Sequence, residues 1–522
     1  MTASATDGAG TLTLGGPRGR WVLAAVVLGS GMTLLDSTVV NVALPTIGKD
    51  LGAMLAGLQW TINAYTLTLA ALIMLGGSLG DRFGRRKLFI IGTVWFALAS
   101  LLCGIAPGIE VLIGARALQG VGGALLTPGS LALIQASFAA KDRARAIGVW
   151  SGLGGIAGAL GPLLGGWLVD AVSWRWVFFI NLPLAALVVA VAARHVPESR
   201  DESATGGFDV AGAVLGAVGL AGVTYALIAA GGSRPDIAGV SVSAVVGLAA
   251  FAGFVVTERR SRYPMLPPSL FRNRQFTAAN LVTFAVYAAL GGVFFFLVLE
   301  LQTESGYSPL ASGTALLPIT VVMLALSERA GRLAERIGPR IPMTVGPAVS
   351  AAGLLLMLRI GADASYVTDV LPAVVVFALG LATTVAPLTA TVLGAADVRL
   401  AGTASGVNNA VARAAGLLAV AALPLMAGLS GDDYEDPAAF GHGFRVAVVI
   451  CAGMLVVGSL LAWFGIRSDV LREVPDEPAK PTPLRRHYCA ISGPPLQSAE
   501  PPGTGAAAGG GCEVEAGGPP AG

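Results

Sequence analysis

The chain carries the stretch Gly77-Ser-Leu-Gly-Asp-Arg-Phe-Gly-Arg-Arg-Lys87 between two long apolar runs. These runs, from Leu67 to Leu79 and from Leu88 to Ala106, are almost free of charge. The hydrocarbon core of a bilayer excludes a cluster of charged side chains, whereas apolar segments of this length cross it. The pattern therefore predicts a tight turn at the membrane surface that joins two membrane-spanning helices.

The composition of the whole chain indicates that the bilayer is its main solvent. Of the 522 residues, 54% are hydrophobic and 12% are charged, and the mean hydropathy is +0.74. Apolar windows of about 20 residues, the length that crosses roughly 30 Å of hydrocarbon, recur along the chain. They predict an all-α integral membrane protein with spans near 21–44, 58–79, 88–106, 110–134, 147–169, 175–193, 210–230, 238–257, 276–301, 311–328, 342–360, 370–393, 402–428 and 443–466.

Basic residues predict the orientation, because loops rich in Lys and Arg stay on the cytoplasmic side. Most of the 33 Lys and Arg residues fall in alternate loops and in the termini, which predicts that both termini are cytoplasmic. Topology thus accounts for the net charge of +2, and no soluble segment carries a basic patch interleaved with aromatic residues. We expect no nucleic acid as a partner. No disulfide is expected either, because Cys103 and Cys451 fall in spans and Cys489 and Cys512 in the tail.

Shifts in charge and in Pro and Gly content divide the chain into five parts. These are a cytoplasmic N-terminus (1–20), six spans (21–193), a linker with two further spans (194–275), six more spans (276–466) and a tail (467–522) that is predicted to be disordered. The stretch at 331–340, Gly-Arg-Leu-Ala-Glu-Arg-Ile-Gly-Pro-Arg, echoes the opening stretch. A parallel repeat of this kind predicts two six-helix bundles related by an axis along the membrane normal.

Two ionisable residues fall inside predicted spans. At a rise of 1.5 Å per residue, Asp36 lies roughly 13 Å and Arg116 roughly 9 Å from the outer ends of their spans, so the two are expected at similar depth. A charge in hydrocarbon costs about 2.5–3.5 kcal/mol on insertion scales, which favours a partner. One interpretation is a static ion pair that fixes helix packing. The other, which we favour because ionisable groups inside membranes are functional by default, is a site that loads and releases a proton.

The fifth predicted span has glycines along one helix face and a proline that weakens its backbone hydrogen bonding. Glycines alone fit ordinary close packing of helices, but their combination with the proline favours a conformational role. The residues concerned are Gly154, Gly158, Gly161, Pro162, Gly165 and Gly166.

The opening stretch also contains a candidate conformational latch. Asp81 is expected to accept hydrogen bonds from the amides of a helix N-terminus or to pair with neighbouring arginines, in one conformation only. A solvated loop is the alternative. The latch residues are Gly77, Gly80, Asp81, Arg82, Gly84, Arg85 and Arg86.

Other polar residues within spans are candidates for a central cavity. Asn409 and Arg413 lie one turn apart in the thirteenth span, and Glu300 is a candidate proton or cation site. Packing is the more frequent role for such residues, and Glu300 has the alternative of reaching toward water. The full set is Asn41, Asn63, Tyr65, Gln119, Glu300, Asn409 and Arg413.

Together these elements resemble the major facilitator superfamily, and specifically its fourteen-span drug:proton antiporters, over residues 21–466. The opening stretch is similar to the superfamily's motif between helices two and three. Leu35 to Pro45, Leu112 to Gly120 and Gly154 to Gly166 are similar to motifs of the first, fourth and fifth helices, the last being the antiporter motif. The chain departs from the pattern at Ala414, where glutamine is frequent, and at Glu335, where the first-half loop has aspartate.

The resemblance implies the major facilitator fold, with two six-helix bundles and two linker helices. It implies that Asp36 and Arg116 take part in proton coupling, and that Asp81 and Arg85 steady one access state. It also implies that the glycines of the fifth helix and Pro162 belong to the conformational switch.

We therefore predict a monomeric, proton-coupled secondary exporter of amphiphilic drugs or antibiotics in a bacterial cytoplasmic membrane, working by alternating access. No nucleotide-binding phosphate loop and no cluster of nucleophile or metal-ligand residues occurs within the spans, so we expect neither ATP, cofactor, metal site nor enzymatic activity. One alternative is an exporter of an endogenous metabolite, peptide, siderophore or lipid. Another is a membrane sensor or scaffold that transports nothing.

Overall fold

A computed structural model describes residues 12–200, 209–396, 400–431 and 433–470. This part of the chain is almost entirely helical, and its only recorded strand-like pairing is one isolated bridge between Leu12 and Phe138. Fourteen helical segments are long and apolar enough to cross a membrane. The predictions of an all-α fold and of fourteen spans are confirmed. The start of the predicted N-terminal part, the tail beyond residue 470, Cys489 and Cys512 lie outside the described residues.

The first half contains six spans, the sixth of which is divided at Ile180. Its helices are α1 (Pro17–Leu51), α2 (Leu55–Phe83), α3 (Arg85–Gly104), α4 (Ile109–Ser137), α5 (Ala140–Ala171), α6 (Trp176–Phe179) and α7 (Asn181–His195).

Two linker helices follow, α8 (Val210–Ala230) and α9 (Ile237–Arg260), and they pack on each other as a hairpin. The second half again contains six spans, and its second span is divided at Leu316. Its helices are α10 (Arg274–Thr303), α11 (Pro309–Ala315), α12 (Leu317–Ile337), α13 (Arg340–Leu356), α14 (Leu371–Gly394), α15 (Ala401–Met426) and α16 (Pro437–Gly465).

The turn predicted around residues 80–87 is shorter than expected. Helix α2 continues through Asp81 to Phe83, and Gly84 alone separates it from α3. The 29 residues of α2 form a helix about 43 Å long, which exceeds the hydrocarbon thickness, so its charged last turn projects beyond the core without leaving the helix. Gly84 reverses the chain with φ +112°, a conformation that favours glycine.

Each half packs mainly against itself. In the first half, α1 contacts α5 and α7, and α4 packs against both α2 and α3. In the second half, α10 packs on α15 and α16, and α13 packs on α14 and α16. The linker helix α8 contacts α2 and α15, so the linker hairpin lies beside the junction of the two halves.

The two halves are joined where α1 ends. We call this the far end of the bundle, and the end where α1 begins the near end. Hydrogen bonds at the far end link Gln59 to the carbonyls of Val420 and Ala421, Leu55 to Gly431, Tyr434 to Ala53, Gln302 to Val42, and Leu310 to Asp170, over 2.6–3.2 Å. The far end is therefore closed in this conformation.

Candidate functional site

Asp36 lies in the middle of α1 and is completely buried. Its Oδ2 accepts a hydrogen bond from Arg116 Nη1 at 2.6 Å, and its Oδ1 accepts from Gln119 Nε2 at 2.8 Å and from Asn181 Nδ2 at 3.0 Å. The structure thus brings the two candidate coupling residues into direct contact. Three side-chain donors are thus directed at one carboxyl group, whose two oxygens accept all of them.

Arg116 extends from α4 and is 1% exposed. Besides Asp36, it donates from Nε to the carbonyl of Thr61 at 3.0 Å and from Nη1 to Gln119 Oε1 at 2.6 Å. Its guanidinium carbon lies 4.4 Å from the centre of the Tyr65 ring, which adds a cation–π contact. The cation therefore has several partners besides the carboxylate.

Sequence reasoning missed two members of this cluster. Asn181 opens α7, and Ser100 lies in α3, where its Oγ accepts from Gln119 Nε2 at 2.7 Å and from Asn181 Nδ2 at 3.3 Å. The sequence offered one signal for Asn181, namely that it is a single amide residue inside an apolar segment. Its link to Asp36 depends on how α7 packs on α1, which spacing along the chain does not reveal. Asn181 contacts the carboxyl group directly, and Ser100 orients the two amides that donate to it.

The glycine face of α5 meets α1 beside Asp36. A Cβ atom on Gly161 would collide with Thr38, and one on Gly165 would lie 3.1 Å from Val39 Cα. Gly154 is less restrictive, because its nearest neighbour would be Leu34 Cδ1 at 3.6 Å, and Gly158 has no neighbour within 4 Å. The six residues grouped by the sequence motif therefore have different surroundings.

The same helix also contacts the second half. A Cβ on Gly166 would lie 2.6 Å from Leu310 Cα, and one on Gly313 would lie 2.8 Å from the Pro162 carbonyl carbon. These two glycines allow the backbones of α5 and α11 to approach each other at the far end. Pro162 and Gly166 thus lie at the junction of the halves, next to the hydrogen bond between Leu310 and Asp170.

Two of the predicted latch residues, Asp81 and Arg85, form an ion pair four residues apart in the chain. Asp81 Oδ1 accepts from Arg85 Nε at 2.8 Å and from Arg85 Nη2 at 2.7 Å, and both side chains are partly exposed. Arg82 stacks near the Phe83 ring at 5.8 Å. A Cβ atom on Gly77 would lie 3.5 Å from Pro128 Cβ, whereas one on Gly80 would meet nothing within 4 Å.

Glu198 joins this region and was not singled out by sequence reasoning. Its Oε1 accepts from the Arg86 amide at 3.0 Å, its Oε2 lies 3.7 Å from Arg86 Nε, and Arg86 Nη1 donates to the Val196 carbonyl at 3.1 Å. A carboxylate at the first turn of α3 is favoured by the helix dipole. The chain after α7 is thereby fixed to the turn between α2 and α3.

We expect Gly84→Ala to destabilise this turn. A residue with a side chain strains a backbone at φ +112° by about 1–2 kcal/mol, and the new Cβ would lie 2.8 Å from Glu198 Oε1. The melting temperature of the purified protein should fall by a few degrees, as measured by thermal unfolding in detergent. Gly80→Ala is the matched control, because that helical position is open, and an equal loss in both variants would contradict the assignment.

The remaining candidates do not share one cavity in this conformation. Gln119 belongs to the Asp36 cluster, and Tyr65 is 2% exposed beneath Arg116. Asn63 is fully buried, and neither of its side-chain polar atoms has a hydrogen-bond partner among the described residues. Glu300 is also fully buried, within the second half.

Three candidates on facing helices retain some exposure. Asn41 is half-buried on α1, Arg413 is half-buried on α15, and Asn409 is exposed and donates to the Ser405 carbonyl at 3.2 Å. The helix that carries Arg413, α15, packs on α2 of the first half and on α10 of the second. Arg413 therefore lies on a helix that contacts both halves.

A bundle of fourteen apolar helices in two packed halves, with a hydrogen-bonded ion pair buried inside one of them, defines a multi-pass membrane transport protein. The chain belongs to the Major Facilitator Superfamily, whose family model matches residues 26–421.

Curated relatives cover most of the chain. The puromycin resistance protein pur8 of Streptomyces alboniger is 36% identical over 486 residues, which are 90% of this chain and 95% of that protein. The tetracenomycin C resistance and export protein of Streptomyces glaucescens is 38% identical and covers 81% of this chain and 79% of its own. The methylenomycin A resistance protein of Bacillus subtilis is 36% identical, with 85% and 93% covered.

Solved structures support the fold. A bacterial homologue of the human lysosomal transporter Spinster superposes with a TM-score of 0.63 at 17% identity, covering 88% of this chain and 99% of its own. A D-xylose–proton symporter gives 0.61 at 16% identity, covering 86% and 98%. The prediction of a major facilitator fold is confirmed.

Proposed function

We propose that this protein is a proton-coupled exporter of amphiphilic drugs or antibiotics in a bacterial cytoplasmic membrane. The observation that carries the proposal is the buried contact of 2.6 Å between Asp36 and Arg116, supported by the amides of Gln119 and Asn181. The relatives at 36–38% identity, which are resistance and export proteins, support the class of cargo.

The proton acts at Asp36. Taking up a proton there removes the charge that Arg116 and the two amides contact, and Arg116 keeps the Thr61 carbonyl and the Tyr65 ring as partners. The carboxyl group can then separate from the cation without leaving a bare carboxylate in the protein interior. Because α1 also packs on the glycine face of α5, a change at Asp36 is transmitted to the helix that reaches the second half.

We place the near end in the cytoplasm. The near ends of the helices carry Arg82, Arg85, Arg194, Arg260 and Arg340, and loops rich in arginine remain on the cytoplasmic side. The far end, closed here by hydrogen bonds between the halves, then faces the cell exterior. Opening it while the near end closes completes one step of alternating access.

The proton gradient supplies enough energy without ATP or a cofactor. At about 150 mV, one entering proton provides roughly 3.5 kcal/mol, scaled from about 2.3 kcal/mol per charge per 100 mV. That energy sustains an outward gradient of a few hundredfold for a neutral cargo. We propose transport by a monomer rather than catalysis.

We expect purified protein in liposomes to move protons when cargo is supplied. A pH gradient is imposed, and puromycin, tetracenomycin C, methylenomycin A and other amphiphiles are added while internal pH is followed. Cargo that binds should dissipate the gradient and accumulate on the proton-rich side. Activity confined to metabolites, peptides, siderophores or lipids would favour the alternative cargo, and no response to either panel would favour a non-transporting sensor.

A further inference from the structure

Glu300 is a second buried acid that the proposed cycle does not use. It lies in the last turns of α10 at 0% exposure, and neither carboxyl oxygen has a hydrogen-bond partner among the described residues. Phe296, one turn earlier, stacks on Phe440 of α16 with ring centres 5.9 Å apart. An ionised carboxylate in such apolar surroundings, without donors, is far less stable than the neutral acid. Glu300 therefore carries its proton in this conformation.

Glu304 connects this acid to the surface. It lies one turn beyond Glu300 and is half-buried, and its Oε1 and Arg445 Nη2 each lie 3.6 Å from the Cβ position of Gly361. Helix α16 carries Arg445 and His442, and both side chains are exposed. Glu304 therefore lies between the buried Glu300, one turn before it on α10, and the exposed Arg445.

The charged side chains on the other elements around Glu300 pair with residues other than Glu300. On α1, Asp36 pairs with Arg116, and Asp50 pairs with Arg175 at 2.8 Å. Helices α11 and α14 contain no Asp, Glu, Lys, Arg or His, and Asp369 before α14 lies 3.1 Å from Arg359.

Two further charged residues lie on helices that contact α10: Arg413, which is distant from Glu300, and Lys49, which is exposed. Arg413, the sole charged residue of α15, lies five residues after Asn408, which donates to Thr283 of α10 at 2.7 Å, about 25 Å before Glu300 along that helix. Lys49 of α1 is exposed. No charged partner on these helices compensates an ionised Glu300.

The same turns of α10 hold the far end closed. Gln302 donates to the Val42 carbonyl of α1 at 3.0 Å and to Ser312 Oγ at 2.9 Å. Glu300 and Glu304 occupy the side of these turns that packs on α16, where a carboxyl oxygen of Glu304 lies against Gly441. Ionisation of Glu300 requires water, which the packing of these turns on α16 excludes. The turns that bury Glu300 therefore also carry the Gln302 hydrogen bonds that hold the far end closed.

We propose that Glu300 is a proton-binding site that closes the far end of the transporter. The closed far end holds one proton at Glu300 that the open far end releases. This inference rests on the proposed function and extends it to the second half. Its test needs neither cargo nor transport, so a failure of the inference is distinguishable from a failure of the proposed function.

Spin labels at Ile105 and Val367 test the proposal. Both positions are at the far end, one in each half, and they are 59% and 67% exposed. The labels are attached to Ile105→Cys and Val367→Cys after the 4 native cysteines are replaced by alanine. Distances are measured by pulsed electron resonance from pH 5 to 9. If closure binds one proton, the ratio of closed to open protein falls about tenfold per pH unit where that proton is exchanged.

We expect Glu300→Gln and Glu300→Met to abolish this slope and to remain closed at high pH, because neither side chain ionises. Glu304→Gln should keep the slope, since Glu300 still titrates. Asp50→Asn is the control, because it neutralises an exposed far-end carboxylate that pairs with Arg175, and it should leave the slope in place. An unchanged slope in both Glu300 variants, or a wild-type protein whose label distances do not respond to pH, would overturn the proposal.

Discussion

Asp36→Asn should abolish concentrative export while leaving a folded protein in the membrane. With a pH gradient of the usual size, we expect the cargo gradient to fall from a few hundredfold to about one. The substitution keeps the size of the side chain and its ability to accept from Arg116, but it removes the group that takes up a proton. Cargo accumulation in liposomes and proton flux measured together are the readouts.

A loss of coupling must be distinguished from a loss of folding. Asparagine leaves Arg116 without a counter-charge, and removal of one partner of a buried ion pair destabilises proteins by about 3–5 kcal/mol. We therefore also measure exchange of labelled cargo at equal concentrations on both sides, which needs no proton. Asp36→Asn should retain this exchange if it is folded. A variant that retains exchange and still pumps against a gradient would contradict the assignment of Asp36 as the proton-coupling residue.

The matched control is a carboxylate on the same helix. Asp50 lies at the far end of α1, is partly exposed, and accepts from Arg175 and from Trp174 Nε1, each at 2.8 Å. Exposed pairs contribute about 0–1 kcal/mol, so Asp50→Asn should change stability little. It should also retain coupled export, because its carboxylate lies in contact with water rather than inside the bundle.

The spans were predictable because each is long and apolar, but their ends were not. A helix such as α2 extends beyond the hydrocarbon while its residues become polar, so hydropathy marks the core and not the helix end. The division at Leu316 between α11 and α12 is equally invisible to hydropathy, because the residues on both sides are apolar.

The candidate site was predictable only where it depends on position along a single helix. The depths of Asp36 and Arg116 follow from counting residues along two helices, which is local information. The contributions of Asn181, Ser100 and Glu198 depend on which helices become neighbours. An amide such as Gln119 is compatible with a cavity or a buried cluster, and only the packing of α4 on α2 and α3 decides between them.

Gly166→Ala should reduce export at least about tenfold, whereas Gly158→Ala on the same helix should behave like the wild-type protein. A Cβ on Gly166 would lie 2.6 Å from Leu310 Cα and 2.8 Å from the Pro309 carbonyl carbon, both of them backbone atoms that cannot rotate away. A Cβ on Gly158 would meet nothing within 4 Å. The sequence motif treats the two glycines alike, so the contrast depends on the packing of α5 against α11.

The cause of the expected loss is a far end that cannot close. Separation of α5 from α11 by a methyl group weakens the hydrogen bond between Leu310 and Asp170 and shifts the population toward an open far end; a shift of about 1.4 kcal/mol changes the ratio tenfold. The label pair at positions 105 and 367 reports this shift directly. Gly313→Ala, which introduces a methyl group from the opposite side against the Pro162 backbone, should give the same open state. If Gly166→Ala closed normally and pumped normally, the far-end contact between α5 and α11 would not be part of the transport cycle.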